Sequence, residues 1–351
     1  MIMKKNTYTS IIRTLGCLLL LTVFVSSCLY EEPELTVDGE LGVDPTAVNI
    51  MTNLTLETSF ELVNVNRGTR AAATTNLHRF VVAVYEGSQK VAGQTIYQDV
   101  QDGETTVNIP LSMKLHARKY QLVVWADYVE KTGEEISQAF YDATNPAFIL
   151  RTTPYKGNSN YNDAFYGNAS LDLTAYRDQW NVTVPIDIKM TRPMASYNLI
   201  ATDVAKFLKK VADKEITGKK FTMTVKYNYY LPTGFDALTG KLKNSLQYVE
   251  YNKTVDLATL QKGENKEEFN IGSDFLLINN ESASSIPVTI EITNESKTVV
   301  ARYQNLKVPY ERNKETTIRG YFLTASPGIS FDPDFNDDDI IIDVAPIVKN
   351  N

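Results

Sequence analysis

Cysteine, histidine and tryptophan are scarce: two of each in 351 residues. Cys17 lies within an N-terminal apolar run and Cys28 just beyond it. Cleavage before Cys28 would leave a single thiol. That excludes an intramolecular disulfide and, once the thiol is acylated, a cysteine nucleophile or a thiolate zinc site. The two histidines, His78 and His116, stand close to Arg79 and Lys114 at the edges of expected strands, where a solvated role is the simplest reading. No HExxH, GxSxG, P-loop or GxGxxG pattern occurs. Carboxylates are abundant but scattered, so no pair stands out as a glycosidase acid and base. The composition therefore points away from an enzyme, and no catalytic residue or cofactor is assigned.

Long hydrophobic runs are also lacking. The N-terminal run, Leu15–Val25, has eleven residues. At about 1.5 Å per residue it spans roughly half of a ~30 Å hydrocarbon core, too short for a membrane anchor. Lys4, Lys5 and Arg13 supply a positive charge around its start, and no acidic residue occurs before Glu31. Ser26 and Ser27 then lead into Cys28. A basic start, a short apolar segment and small residues are the three parts of a secretory signal. A cysteine directly after them reads as a lipobox, Val25-Ser26-Ser27-Cys28, with Val25 where leucine is commoner. Residues 1–27 are thus expected to be a signal peptide and Cys28 the site of lipid attachment. The alternative is an ordinary signal with an incidental cysteine.

Removal of that signal leaves 32 of 35 basic residues against 42 acidic ones, a net charge near −10. Nucleic acid is an unsuitable partner, since phosphates require a basic face. Residues 28–45 have the composition of a linker, with Glu31, Glu32, Glu34 and two prolines.

The rest reads as β-structure. Phe80–Tyr85 and Leu122–Ala126 are short apolar runs of core-strand type. Val182, Val184, Ile186, Ile188 and Met190 alternate with polar residues, a strand with one buried face; Pro185 marks it as an edge or a bulge. Phe221–Tyr229 and Val288–Ile292 repeat the alternation, and 298–303 and 317–323 are further candidates. One segment has the helical period: Val204, Phe207, Leu208 and Val211, with Thr202 or Asp203 to cap it and Gly218 beyond its end. Many short strands and a single helix predict a mainly β protein of two tandem sandwiches, 46–191 and 192–325. An acidic tail, 326–351, carries a final strand.

Four features invite functional readings. Asp332, Asp334, Asn336 and Asp338 have the alternate spacing of a calcium loop. Asp337 occupies the place of its glycine and Asp343 that of its glutamate, so a solvated acidic tail is expected and no metal is assigned. Tyr155, Tyr161, Phe165 and Tyr166 make either a sugar-stacking loop or a loop folded over its own aromatics. Arg67-Gly68-Thr69-Arg70 is either a target for an arginine-specific protease or a plain basic loop. Ile340–Val344 is either the last strand of the second sandwich or a strand donated to a neighbouring molecule.

Several segments share a resemblance. Tyr120–Asp127 resembles a strand of Bacteroidetes fimbrial anchor proteins, the minor lipoprotein subunits of type V fimbriae, and Arg192-Pro193-Met194-Ala195 resembles the start of their second domain. Tyr230-Leu231-Pro232-Thr233-Gly234-Phe235 with Leu238-Thr239-Gly240 is similar to a signature of a related lipoprotein family of unestablished function. The resemblance implies a pair of transthyretin-like, fimbrillin-type sandwiches on an outer-membrane lipid anchor exposed at the surface. The implied partners are fimbrial subunits, joined by strand complementation. In stalk subunits an arginine-specific cut removes a first strand, whereas an anchor keeps it. The alternative is a surface lipoprotein that binds glycans or host ligands through loops such as 154–168.

The lipid assignment is directly testable. Cys28→Ala is expected to abolish incorporation of labelled palmitate and to shift the protein from the membrane pellet to the soluble fraction; palmitate retained on the variant would refute it.

Overall fold

A computed structural model describes residues 48–56, 74–100, 105–132, 135–177, 179, 182–262, 267–278, 283–326 and 341–346. The signal, Cys28, the linker, Arg67–Arg70 and the Asp332–Asp338 cluster lie outside the described residues. The chain is mainly β. Its first half contributes β1 (Val48–Leu56), β2 (Thr74–Glu86), β3 (Gln89–Gln98), β4 (Thr106–Ile109), β5 (Lys119–Thr132), β6 (Glu135–Ala139), β7 (Tyr141–Asp142), β8 (Ile149–Arg151), β9 (Ala164–Asp172) and β10 (Val182–Met190). The second half begins with β11 (Met194–Ala201), α1 (Val204–Ala212), β12 (Lys220–Tyr227), β13 (Leu231–Asp236), β14 (Lys241–Leu246) and β15 (Glu250–Asp256). It continues through α2 (Leu257–Lys262), β16 (Phe269–Leu277), β17 (Ser284–Asn294), β18 (Val299–Tyr310), β19 (Lys314–Gly320) and β20 (Ile341–Pro346).

Two sandwiches result. In the first, the sheet β10-β1-β4 faces the sheet β3-β2-β5-β6, with β9 also paired to β5. Ile109, Ile186, Ile188 and Met190 meet Phe80, Val82, Leu122 and Val124 between them. In the second, β16-β11-β19-β20 faces β15-β12-β17-β18. Tyr197, Leu199 and Ile318 there meet Phe221, Met223, Val225, Ile290 and Ile292. Each of these buried side chains contributes about 1.5–3 kcal/mol. Pro185 is on β10, at the edge of its sheet, the kind of position to which proline in a sheet is confined.

The apolar run Leu122–Ala126 is buried at every position, which a one-sided sheet does not require. Alternate residues serve two cores. Leu122, Val124 and Ala126 point into the first sandwich, while Val123 and Trp125 point the other way, into a third cluster with Val81, Ala83 and Tyr85. Covering that outer face is a small sheet, β14-β13-β8-β7, built from both halves of the chain. Phe235 pairs with Ile149 and Gly234 with Leu150 in its ladder. The Tyr230–Gly240 signature is therefore a hairpin that reaches from the second half and closes over the first. It crosses the division expected at Arg192.

Helix α1 forms where the period placed it. Val204 and Phe207 are buried, and Phe207 meets Phe221 edge-on at 5.0 Å. Asp203 occupies the N-cap position, but its carboxylate does not cap the helix. It accepts instead from the Leu323 and Thr324 amides and from Thr324 Oγ1, the last two at 2.7 Å, and so ties the chain after β19 to the helix start. The six-residue helix α2 was not anticipated.

Between the halves sits Arg192, with no solvent exposure. Its Nε and Nη2 donate to both oxygens of Asp163 at 2.7 and 2.9 Å, its Nη1 donates to Asn313, and its guanidinium lies 4.7 Å from the Phe165 ring. Removing one partner of a buried pair leaves an uncompensated charge, which costs about 3–5 kcal/mol. Arg192→Met is expected to lower unfolding free energy by about that amount in urea titration, and the double variant Arg192→Met/Asp163→Leu to recover much of it.

Candidate functional site

Neither end of the described chain carries reactive chemistry; each carries a strand. β1 lies inside its sheet, parallel to β10 in an unbroken register from Val48↔Val182 to Leu56↔Met190 and antiparallel to β4. It supplies hydrogen bonds on both sides, so without it two flanking strands would face each other across a gap. β20 is antiparallel to β19 from Ile341↔Arg319 to Pro346↔Lys314, at the sheet edge. The C-terminal segment is thus an intramolecular strand. Its consecutive residues Ile341 and Ile342 are 59% and 45% exposed. Successive side chains point to opposite faces, so at these residues neither face is well buried and main-chain bonds do most of the holding.

The loop after β8 leads into a second, buried constellation. The Arg151 guanidinium lies between the rings of Tyr141 and Tyr155 and donates to the carbonyl of Phe275. Asp274, 3.7 Å from Arg151 Nη1, accepts from Tyr155 Oη at 2.5 Å, Tyr227 Oη at 2.7 Å and Asn162 Nδ2 at 3.2 Å. Tyr197 Oη links Tyr227 Oη and Tyr251 Oη at 2.8 and 3.0 Å. A Cβ on Gly157 would meet the Tyr251 ring at 2.4 Å, so only glycine lets this loop lie against the ring. Burial pushes the Asp274 carboxyl up, opposed by Arg151 and the hydroxyls, and pushes the tyrosine hydroxyls well up. These hydroxyls stay protonated and act as donors. The constellation joins residues 151–162 to β11, β12, β15 and β16; its groups mostly bond one another, while Arg151 Nε is buried without a hydrogen-bond partner.

The aromatics of the tyrosine-rich loop are engaged within the protein. Tyr155 bonds Asp274, Tyr161 packs on Tyr128 and Phe140 at 5.9 Å, and Tyr166 meets Phe235 at 4.8 Å. Phe165 is 1% exposed in the first core. The aromatics fold inward, against other segments more than against each other. His78 is not an edge residue either: it lies within β2, its ring 4.5 Å from Tyr128. His116 is half-buried, and its carbonyl accepts from Tyr120 Oη at 3.1 Å. Arg151 and Asp274 were missed. The signal for the latter was a lone carboxylate inside the apolar stretch Ile271–Ile278.

An open cleft of about 530 Å3 lies beside Tyr85, Gln121, Ser170 and Leu238. Its one carboxylate, Asp172, stands 3.7 Å from Lys119 and is held below the usual range by Thr174. No nucleophile–base pair lines it. Among the described residues no three His, Cys, Asp or Glu side chains gather as a metal site, and no helix is long and apolar enough to cross a membrane.

No curated protein matches the sequence. Among solved structures, similar ones include a candidate cell adhesion protein from Bacteroides ovatus, at 14% identity and a TM-score of 0.41, covering 87% of this chain and 99% of that one. A candidate cell adhesion protein from Parabacteroides distasonis has 11% identity and a TM-score of 0.40, covering 88% and 100%. The fimbrial anchor protein Mfa2 from Porphyromonas gingivalis has 8% identity and a TM-score of 0.37, covering 85% and 98%. A protein-family model matches residues 45–348, most of the chain. The chain belongs to that family, a family of unknown function (DUF6562).

Proposed function

We propose that this protein is a structural subunit of the cell surface, a fimbrial anchor or fimbrillin-like adhesion subunit, tethered to the outer membrane by lipid on Cys28. Its units are the sandwiches 46–191 and 192–325, meeting at Arg192-Pro193. The observation that carries the reading is the placement of β1. A strand inserted between β4 and β10 fills what would otherwise be an open groove. Open edges invite pairing with another chain, through main-chain bonds that give affinity and pockets that select side chains. A subunit that keeps its first strand presents no such groove and ends a polymer, as an anchor must. Arg70 falls between β1 and β2 in the chain, so a cut there would release β1 and convert a terminator into an acceptor.

β20 supports the complementary role. It is an edge strand joined to β19 through one ladder, and the isoleucines at its start, Ile341 and Ile342, are exposed.

The test combines surface shaving of intact cells with capture of bound subunits. Wild-type protein is expected among the shaved peptides and to co-purify fimbrial subunits; Cys28→Ala protein is expected to lose both. Recovery of the wild type only from the periplasm, without an attached subunit, would overturn the proposal. Deleting 336–351 separates the two tail roles: loss of assembly from a variant that still folds marks a donor strand, whereas loss of folding marks an internal one.

A further inference from the structure

Among the described residues the three most exposed aromatic side chains stand at one place, with Phe148 and Tyr97, at 49% and 38%, elsewhere. Strands β12 and β15 pair as far as Lys226↔Glu250, and the same two chain segments pair again from Leu231↔Leu246 as β13 and β14. Together they make one long two-stranded ribbon, rooted in the second sandwich and ending on the first. Its elbow is formed by residues 228–230 and 247–249, held together by Tyr227 N–H donating to the Val249 carbonyl at 2.9 Å. Three tyrosines stand on this elbow: Tyr229 is 67% exposed, Tyr230 60% and Tyr248 91%.

Nothing in packing requires them there. Their rings leave apolar area in water within a single bend of the ribbon. Tyr248 is also held at φ +58°, a left-handed conformation that is costly for a bulky side chain and accumulates at functional positions. The surroundings specify the occupant. Residues 228–230 and 244–249 include no charged side chain. The lysines that flank them are already matched, Lys226 to Glu291 and Lys243 to Asp236, both at 3.2 Å. Exposed amides and hydroxyls fill the remainder: Asn228, Asn244, Ser245 and Gln247. The Asn228 amide is oriented by Asn305 at 2.7 Å and Thr289 at 2.9 Å. Aliphatic surface at the elbow amounts to Leu246 at 38% exposure.

We propose that this elbow binds a neutral saccharide. The flat apolar C–H face of a pyranose fits a tyrosine ring, and its hydroxyls fit the oriented amides. Tyrosine suits the task because it offers a rigid amphipathic area with few rotors to immobilise. The site is formed by other residues than the 154–168 loop and does not depend on the polymerisation reading.

The test is calorimetric titration of the purified full-length chain with maltohexaose, cellohexaose and mannohexaose, with polygalacturonate as an anionic control. At least one neutral oligomer is expected to bind saturably. Combined Tyr229→Ala, Tyr230→Ala and Tyr248→Ala changes are expected to weaken that binding about tenfold or more, and the three Tyr→Phe changes, which keep the rings, about threefold or less. Tyr248→Asn gives an independent control, because asparagine tolerates a left-handed backbone. It is expected to weaken binding while leaving the melting temperature unchanged or higher. The proposal is overturned if no neutral oligomer binds the wild type, if the triple alanine variant binds equally well, if only polygalacturonate binds, or if the tyrosines prove to capture a protein instead.

Discussion

Everything in the arrangement of the two halves follows from a sheet that is apolar on both faces. β2 and β5 send Phe80, Val82, Leu122 and Val124 into one core, and Val81, Ala83, Val123 and Trp125 into another. A sandwich covers only one face. The other would expose a contiguous apolar surface larger than soluble proteins ordinarily tolerate. The hairpin β13–β14 meets that requirement from across the chain, and because it does so partly through a ladder to β8, the cover is hydrogen-bonded as well as packed. The halves are joined by a shared sheet and a shared core, which resists the relative motion expected of domains linked by a short tether.

A cover of this kind traps polar groups, and the molecule handles them in a consistent way. Arg79 with Asp127, Arg192 with Asp163 and Arg151 with Asp274 are three buried pairs. Burying an ion is unfavourable unless its geometry and its remaining donors are satisfied. Arg79 faces Asp127 directly across the β2–β5 ladder, and Trp125 Nε1 adds a third donor to that carboxylate at 3.0 Å. Asp274 is held by hydroxyls and an amide, with the guanidinium further off. Such pairs are weak sources of net stability, yet each is strongly directional. Residues 151–163 engage partners on both sides of the junction, and a shifted docking would break many of these bonds together. The polar chain thus fixes how the halves meet, while the apolar clusters supply the driving force.

The sequence made some of this legible and hid the rest for identifiable reasons. Val182–Met190, Phe221–Tyr227 and Val288–Ile292 each bury one face, so their alternation reported them directly. Pro185 reported an edge because a missing donor is a local property. Helix α1 showed its period, although the side chain of Asp203 went to Leu323 and Thr324, a choice set by a segment about 120 residues away. Continuous runs such as Leu122–Ala126 announced two-sided burial without naming the second cover. Nothing local in Tyr230–Gly240 says that it pairs with Ile149 and Leu150. Asp274 reads in sequence as any carboxylate does, and its side-chain partners come from β8, the loop after it and β12.

The tyrosines draw this limit most sharply. Tyr155 and Tyr227 end in a hydroxyl network at the junction, whereas Tyr229, Tyr230 and Tyr248 end in water. Tyr227 and Tyr229 share a parity along one run, and simple alternation assigns both to the same buried face. The ribbon bends between them, where regular pairing stops at Lys226↔Glu250 and resumes at Leu231↔Leu246. A bend resets which face is inside, and its position depends on where the hairpin must go to cover the first sandwich. The exposure of the elbow is therefore a consequence of the same two-faced sheet. The hairpin that hides Trp125 has to leave the second sandwich, and the tyrosines stand where it leaves.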